Sequence, residues 1–317
     1  MFGKLLKYDM KSTMRIGVPF LIAGVVLTVL GFLNALSTPL LSDLDSYIYA
    51  NHFDFLLDHP KLHSAMNLVS MLLYLVFTLF DTIATLVLGV FIFAIVIVNL
   101  VNFYKSLITD EGYLTFTLPV KPLGILSSKC INAVFWNTAV SSVSLIGVLI
   151  IKAPAFLYSV HDSYEFYKKY HPDYTVMEAF KAALGLGDIS IGALISVVVL
   201  FFIFYFFLMA ALQIFMFFTV FFGGVVAKKR KALASTLFTI GGYYLYYVLE
   251  QALAFSILII SLSPFIFMER TSAVKTGNLA LIILSTILLI STFVVIGFIV
   301  LFFFLNKYLM EKKLNLP

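Results

Sequence analysis

The chain has 317 residues, of which 62% are hydrophobic and only 12% are charged. Soluble domains carry about 25% charged residues, so this composition excludes an ordinary soluble fold and points to a membrane protein. The formal net charge is +5, and the distribution of the basic residues indicates membrane topology rather than a nucleic-acid-binding surface. Cys130 is the single cysteine, which excludes an internal disulfide.

The first 15 residues are predicted to form an amphipathic interfacial helix. Lys4, Lys7, Lys11 and Arg15 recur at spacings of three and four, which places them on one helix face. Such a helix lies flat on an anionic inner leaflet, or it is a charged flank that anchors the first span, and both interpretations stay open. The segment lacks the cleavage pattern of a secretory signal, so we expect it to remain on the protein.

Six apolar stretches predict an all-α membrane protein with about six transmembrane helices in a single transmembrane domain, residues 1–317. The predicted spans are about 16–37, 66–103, 124–151, 189–227, 232–266 and 278–306. With the N-terminus inside, the connections alternate and the C-terminus is also cytoplasmic.

The distribution of basic residues supports this orientation. It places 14 of the 21 basic residues on the cytoplasmic side, including the Lys228-Lys229-Arg230-Lys231 cluster in a tight turn. Positive charge in short cytoplasmic loops is the strongest sequence indicator of topology. An inverted chain would place this cluster outside.

Two spans, 66–103 and 189–227, are longer than a bilayer core of about 30 Å requires, and we expect each to be one long helix. Residues 38–65 and 152–188 are predicted to be extracellular loops. Within them, 43–63 and 161–181 mix aromatic and charged residues and are expected to form short interfacial or amphipathic helices.

Motifs of catalysis are missing from the sequence. It has no G-x-x-x-x-G-K-[ST] phosphate loop, no G-x-S-x-G and no H-E-x-x-H, so we expect no enzyme activity in this chain. Three histidines and two aspartates suggest an outer metal site: His52, His59, His63, Asp54 and Asp58. His59 and His63 have the spacing of one helix face, but Pro60 lies between them and makes an uninterrupted helix doubtful. Solvated loop histidines are the preferred interpretation, and no metal site is predicted.

Two acidic residues, Asp81 and Glu250, lie within predicted spans. An ionisable group at membrane depth is costly and normally faces the bundle interior or a watery cavity. One interpretation is a translocation path or a proton site. The other is a hydrogen bond to a neighbouring helix, in the case of Glu250 to the tyrosines of the Gly241 to Glu250 run.

The cytoplasmic stretch 103–129, FYKSLITDEGYLTFTLPVKPLGILSSK, is the most informative part of the sequence. It predicts a short interfacial helix, broken by glycine and proline, that presents acids and the hydroxyl of Thr109 to the cytoplasm. It has about 20 residues where the other inner connection has four, which suggests that it docks a partner.

This stretch resembles the coupling segment of the type-2 permease family of ATP-binding-cassette (ABC) exporters, which follows an E-G-x-L-x-x-x-L-P pattern after span two. The matching positions are Glu111, Gly112, Leu114, Leu118 and Pro119, with Lys129 as the basic residue entering span three. The outer segments differ, because many family members carry their outer helices between spans five and six, where this chain has only 267–277.

The resemblance implies a permease subunit in a bacterial cytoplasmic membrane that exports an amphipathic cargo, such as a peptide, a lipid or a drug. A separate cytoplasmic ABC ATPase would bind ATP and Mg and dock on Thr109, Asp110, Glu111, Gly112, Tyr113 and Leu114, and residues 2–15 would also touch it. The working unit would hold two ATPases and two permeases, either identical or related.

Two alternatives stay open. The first is a membrane sensor or scaffold that binds a ligand with its aromatic-rich outer loops. The second is a proton-coupled carrier that uses Asp81 and Glu250.

Overall fold

The computed structural model describes residues 2–109, 121–183, 191–226, 230–267 and 276–312, and some side chains within these ranges are not described. All regular secondary structure in these ranges is helical. The helices are α1 Phe2–Ala35, α2 Ser37–Asp58, α3 Pro60–Ile108, α4 Pro122–Lys168, α5 Val176–Ala183, α6 Ile191–Val226, α7 Lys231–Phe267 and α8 Thr276–Lys312.

Six helices in the described residues are long and apolar enough to cross a membrane. The prediction of an all-helical protein with about six spans is therefore confirmed. The exterior agrees with this, because large apolar side chains at spacings of three and four stay exposed along α3, including Leu72, Val76, Leu79, Ile83, Leu86 and Val90. A bilayer accepts such an apolar stripe, whereas water does not.

The helices extend well beyond the predicted spans. Helix α3 has 49 residues and α4 has 47. At about 1.5 Å per residue, α3 is about 73 Å long, more than twice the thickness of a bilayer core. Each of the stretches 66–103 and 191–226 lies in one unbroken helix, as expected for the long spans.

The segments predicted as outer loops are mostly helical. Helix α2 covers most of 38–65, and α3 begins at Pro60, a residue favoured at the first helical position because its missing N–H needs no partner there. Helix α4 continues through Pro154 to Lys168. Helix α5 starts with a capping box: the Thr175 backbone N–H donates to Glu178 Oε2 at 2.7 Å, and the Glu178 N–H donates to Thr175 Oγ1 at 3.3 Å.

The N-terminal segment is not a separate helix. Residues 2–15 form the first turns of α1, which runs unbroken to Ala35. Gly17 and Pro19 lie between the basic start of α1 and its apolar part, and neither of them ends the helix.

The chain forms two compact units. The first contains residues 1–17, 94–139 and 188–317, and the second contains 18–93 and 140–187. The core of the first unit includes a ring stack of Phe103 on Phe217, with centroids 3.9 Å apart, and Phe221 against the edge of Phe103. A smaller core in the second unit is built on Ala84, Leu88 and Ile151.

Helices α6 and α7 form an antiparallel hairpin within the first unit. The Ser235 hydroxyl donates to the Val220 carbonyl at 3.0 Å. A Cβ added at Gly223 would lie 2.7 Å from the Ser235 Cα, so the two backbones touch where this glycine stands. Further along the hairpin, Thr219 packs against Gly242, where an added Cβ would lie 2.3 Å from Thr219 Cγ2. Small residues bring membrane helices this close because nothing stands between the backbones.

Candidate functional site

The start of α1 buries a stripe of four residues that differs from its basic face. Asp9, Thr13 and Gly17 are buried and Leu5 is half-buried, at a regular spacing of four. Lys4, Lys7, Lys11 and Arg15 are exposed on the other side of the helix. The amphipathic pattern is therefore present, but its buried face is polar and is occupied by the protein's own helices.

Asp9 forms the centre of a charged contact with the start of α4. Its Oδ1 pairs with Lys129 Nζ at 2.5 Å, and its Oδ2 accepts a hydrogen bond from the Ser128 hydroxyl. The Asp9 and Lys129 side chains are only 10% and 16% exposed. Removing one partner from a buried pair leaves the other charge uncompensated, so this contact fixes α1 against α4.

The contact continues one turn further along both helices. Asn132 Nδ2 donates to Thr13 Oγ1 at 2.8 Å, and the Thr13 hydroxyl donates back to the Asp9 carbonyl at 3.3 Å. A Cβ on Gly17 would lie 2.4 Å from the ring of Trp136.

The pairs Asp9 with Ser128, Thr13 with Asn132 and Gly17 with Trp136 are each 119 residues apart in the sequence. A constant separation means that α1 and α4 run parallel and in register in the first unit. The second unit repeats the relation, since Gly24 faces Val143 and Thr28 faces Gly147 at the same separation.

A polar cavity of about 150 Å³ opens beside this contact. Three helices supply its polar lining, and Phe103, Ala133 and Phe217 complete it. The polar lining residues are Asp9, Ser12, Thr13, Asn99, Asn102, Lys105, Ser106, Lys129 and Asn132.

Two buried amide oxygens at this cavity have no hydrogen-bond partner among the described residues. Asn99 is 2% exposed and Asn132 is 6% exposed, and Asn99 Oδ1 and Asn132 Oδ1 are both unpaired. The amide nitrogens are used elsewhere, because Asn99 Nδ2 donates to the Ala133 carbonyl at 3.3 Å and Asn132 Nδ2 to Thr13. Buried polar atoms are nearly always satisfied, so a hydrogen-bond donor that reached either oxygen would be stabilising.

The predicted coupling residues fall largely outside the described residues. Thr109 is the last described position before the gap, and its hydroxyl donates to the Lys105 carbonyl in the last turn of α3. The predicted positions Asp110, Glu111, Gly112, Tyr113 and Leu114 lie beyond it, outside the described residues. The described chain resumes at Lys121, and α4 begins one residue later.

Asp81, one of the two candidate residues for a translocation path, has a structural partner. Asn34 Nδ2 donates to Asp81 Oδ1 at 2.8 Å and also to the Phe77 carbonyl at 2.9 Å. The half-buried carboxyl group therefore ties α3 to α1 in the second unit, as expected of a hydrogen bond to a neighbouring helix. Glu250 lies in α7, but its side chain is outside the described residues.

The site residues predicted within the spans were charged, and the buried amides of the spans were not predicted. Asn137, Gln213 and Asn306 are fully buried. Asn137 Nδ2 donates to the Met209 carbonyl at 3.3 Å, and Asn306 Nδ2 donates to the Ile214 carbonyl at 3.1 Å. An uncharged amide within an apolar run could have indicated these contacts. In a bilayer, which offers no hydrogen-bond partner, such side chains form hydrogen bonds between helices.

In the part of the chain that the structure describes, no group of three histidine, cysteine, aspartate or glutamate residues comes together as a metal site. Comparisons with models of known protein families, with curated proteins and with solved structures found no match to this chain.

Proposed function

We propose that the chain is the membrane-spanning permease subunit of an ABC exporter in a bacterial cytoplasmic membrane. It moves an amphipathic cargo, such as a peptide, a lipid or a drug, and a separate ATPase subunit supplies the energy. The D-E-G-Y-L sequence at 110–114 supports this proposal, because it lies in the short connection between α3, which ends at Ile108, and α4, which begins at Pro122.

The observation that carries the proposal is the buried contact just beyond this connection. Lys129 lies about two helical turns into α4 and is paired with Asp9 of α1. A displacement applied to residues 109–121 moves the start of α4, and the ion pair passes that displacement to α1. A subunit driven by an external ATPase needs such a rigid link between its docking segment and its spans.

Within each unit, α1 and α4 also pack in parallel register. In each unit the two helices contact each other through close pairs, Thr13 with Asn132 in the first and Thr28 with Gly147 in the second. Packed helices of this kind move as rigid bodies rather than deform, as alternating access requires. The chain itself carries no phosphate loop, so ATP and Mg belong to the partner.

The decisive experiment purifies the chain with its candidate ATPase and measures co-elution and ATPase stimulation. The test variant replaces Asp110, Glu111 and Gly112 together with alanine. A matched control replaces the exposed acids Asp162 and Glu165, which sit near the end of α4, with alanine. We expect the test variant to lose assembly and stimulation and the control to retain both. Equal behaviour of the two variants would show that 110–112 is not the coupling site.

Transmission is separated from docking by Lys129→Met combined with Asp9→Asn. This double variant keeps the docking segment and leaves no buried charge unpaired, but it removes the ion pair. We expect it to co-elute with the ATPase while cargo-stimulated hydrolysis falls.

Transport assays in inverted vesicles separate the proposal from its rivals. ATP-dependent uptake of cargo excludes a sensor or scaffold that moves nothing. Uptake that survives neutralisation of Asp81 and Glu250 excludes a proton-coupled carrier built on those residues.

A further inference from the structure

We propose that the polar cavity between α1, α3 and α4 binds an anionic phospholipid whose headgroup carries free hydroxyls. Phosphatidylglycerol is the lipid that we expect. The site holds a lipid of the surrounding bilayer and does not depend on the cargo or on the ATPase. Basic pockets between transmembrane helices at the cytoplasmic end are suited to lipid headgroups.

The charge of the cavity selects a singly negative group. Its charged lining residues are Asp9, Lys105 and Lys129, which together carry one net positive charge. Lys129 shares one of its three N–H donors with Asp9 and has others to offer. Lys105 lines the cavity and is an exposed residue, and no ion pair of Lys105 occurs among the described residues. One phosphodiester balances this charge, whereas a zwitterionic headgroup adds an ammonium group beside the lysines.

The unpaired amide oxygens favour a ligand that carries hydroxyl donors. Asn99 Oδ1 and Asn132 Oδ1 are acceptors that need donors. The hydroxyls of a glycerol headgroup donate to amide oxygens, and its phosphate accepts from lysine and serine. Residues complementary to both halves of the headgroup therefore line one cavity, Asn99 and Asn132 for the hydroxyls and the two lysines for the phosphate.

The size and position of the cavity fit the same ligand. A volume of about 150 Å³ admits water and suits a small polar group rather than an acyl chain. The lining comes from the last turns of α3 and the first turns of α4. In the predicted topology this is the cytoplasmic end of both helices, where lipid headgroups lie.

The test measures lipid binding by native mass spectrometry of the full-length chain released from detergent. The probes are phosphatidylglycerol, phosphatidylcholine and phosphatidylmethanol, the last having the same phosphodiester charge but no hydroxyl donors. We expect one phosphatidylglycerol to be retained in preference to either of the others. Equal retention of phosphatidylcholine would overturn the charge argument, and equal retention of phosphatidylmethanol would overturn the role of the amides.

Variants of Lys105 locate the site. Loss of one lysine near a phosphate is expected to weaken phosphatidylglycerol binding about fivefold in Lys105→Gln, and Lys105→Arg should restore it. Lys11→Gln is the matched control, because Lys11 is an exposed lysine near the same end of α1 that does not line the cavity. Wild-type binding in Lys105→Gln, or an equal loss in Lys11→Gln, would refute the site.

Soluble glycerol phosphate distinguishes a lipid from a free phosphate ester. We expect it to compete only weakly, because it lacks acyl chains that hold it at the membrane. If glycerol phosphate binds and phosphatidylglycerol does not, the cavity is not a lipid site. Circular dichroism of each variant at matched concentration shows that a lost signal is not lost helix.

Discussion

Gly147 provides the sharpest test of the packing between α1 and α4. A Cβ at this position would lie 2.3 Å from Thr28 Oγ1 and 3.1 Å from Leu88 Cδ1. The first distance is about 1 Å short of the 3.4 Å at which ordinary contact begins, and Leu88 is fully buried and has little room to move. We therefore expect Gly147→Ala to destabilise the protein by about 1–3 kcal/mol, the usual cost of overpacking.

The same geometry predicts a rescue. Thr28→Ala removes the clashing oxygen, and the Thr28 Cβ lies 3.5 Å from the added methyl group, which is ordinary contact. Thr28 Oγ1 donates only to the Gly24 carbonyl of its own helix, at 2.8 Å, so its loss alone should cost about 1 kcal/mol or less. The double variant Gly147→Ala with Thr28→Ala should therefore be more stable than Gly147→Ala.

The assay is denaturant unfolding in detergent micelles, followed by the fluorescence of Trp136, the single tryptophan. Gly89→Ala in α3 is the matched control, because nothing lies within 4 Å of a Cβ built there. A helix favours alanine over glycine by about 0.5–1 kcal/mol, so this control should be neutral or stabilising. Wild-type stability of Gly147→Ala, or a double variant no better than the single one, would refute the close packing of Thr28 on Gly147.

Three further outcomes follow from contacts described above. Asp9→Ala should destabilise the protein by about 3 kcal/mol because it strands Lys129, and adding Lys129→Met should recover part of the loss in the same unfolding assay; a strictly additive double variant would contradict the pairing. Asn34→Leu should cost about 1–3 kcal/mol because it removes the donor to Asp81, whereas a neutral result would show that this bond contributes nothing. Cys130 is only 5% exposed, so a maleimide should label it at least about tenfold more slowly in the folded protein than in denaturant, and equal rates would contradict its burial.

The number of spans follows from the sequence because the bilayer imposes it. An apolar run must be helical to satisfy its own backbone, and no tertiary detail alters that requirement. The ends of the helices do not follow in the same way. Residues 152–168 are polar and aromatic enough to be predicted as part of an outer loop, and they include Pro154, yet α4 continues through them to Lys168.

The candidate site was only partly predictable. The spacing of four basic residues indicated a helix with two different faces, but these residues lie on the exposed face: Lys4, Lys7, Lys11 and Arg15. The buried stripe, with Asp9 and Thr13 four residues apart, was visible in the same 15 residues. Its partners are 119 residues away, and a pairing at that distance depends on helix register, which a single sequence does not show.

The same separation sets an order for the assembly of the chain in the membrane. At a synthesis rate of about 5–20 residues per second, α1 is made roughly 6–24 s before the part of α4 that it contacts. Helix α3 emerges in between and offers α1 the contacts of Asp81 with Asn34 and of Ala84 with Gly31. During this interval Asp9 has no Lys129 to neutralise it. Helix α1 therefore has only its contacts with α3 in the bilayer until α4 has been made.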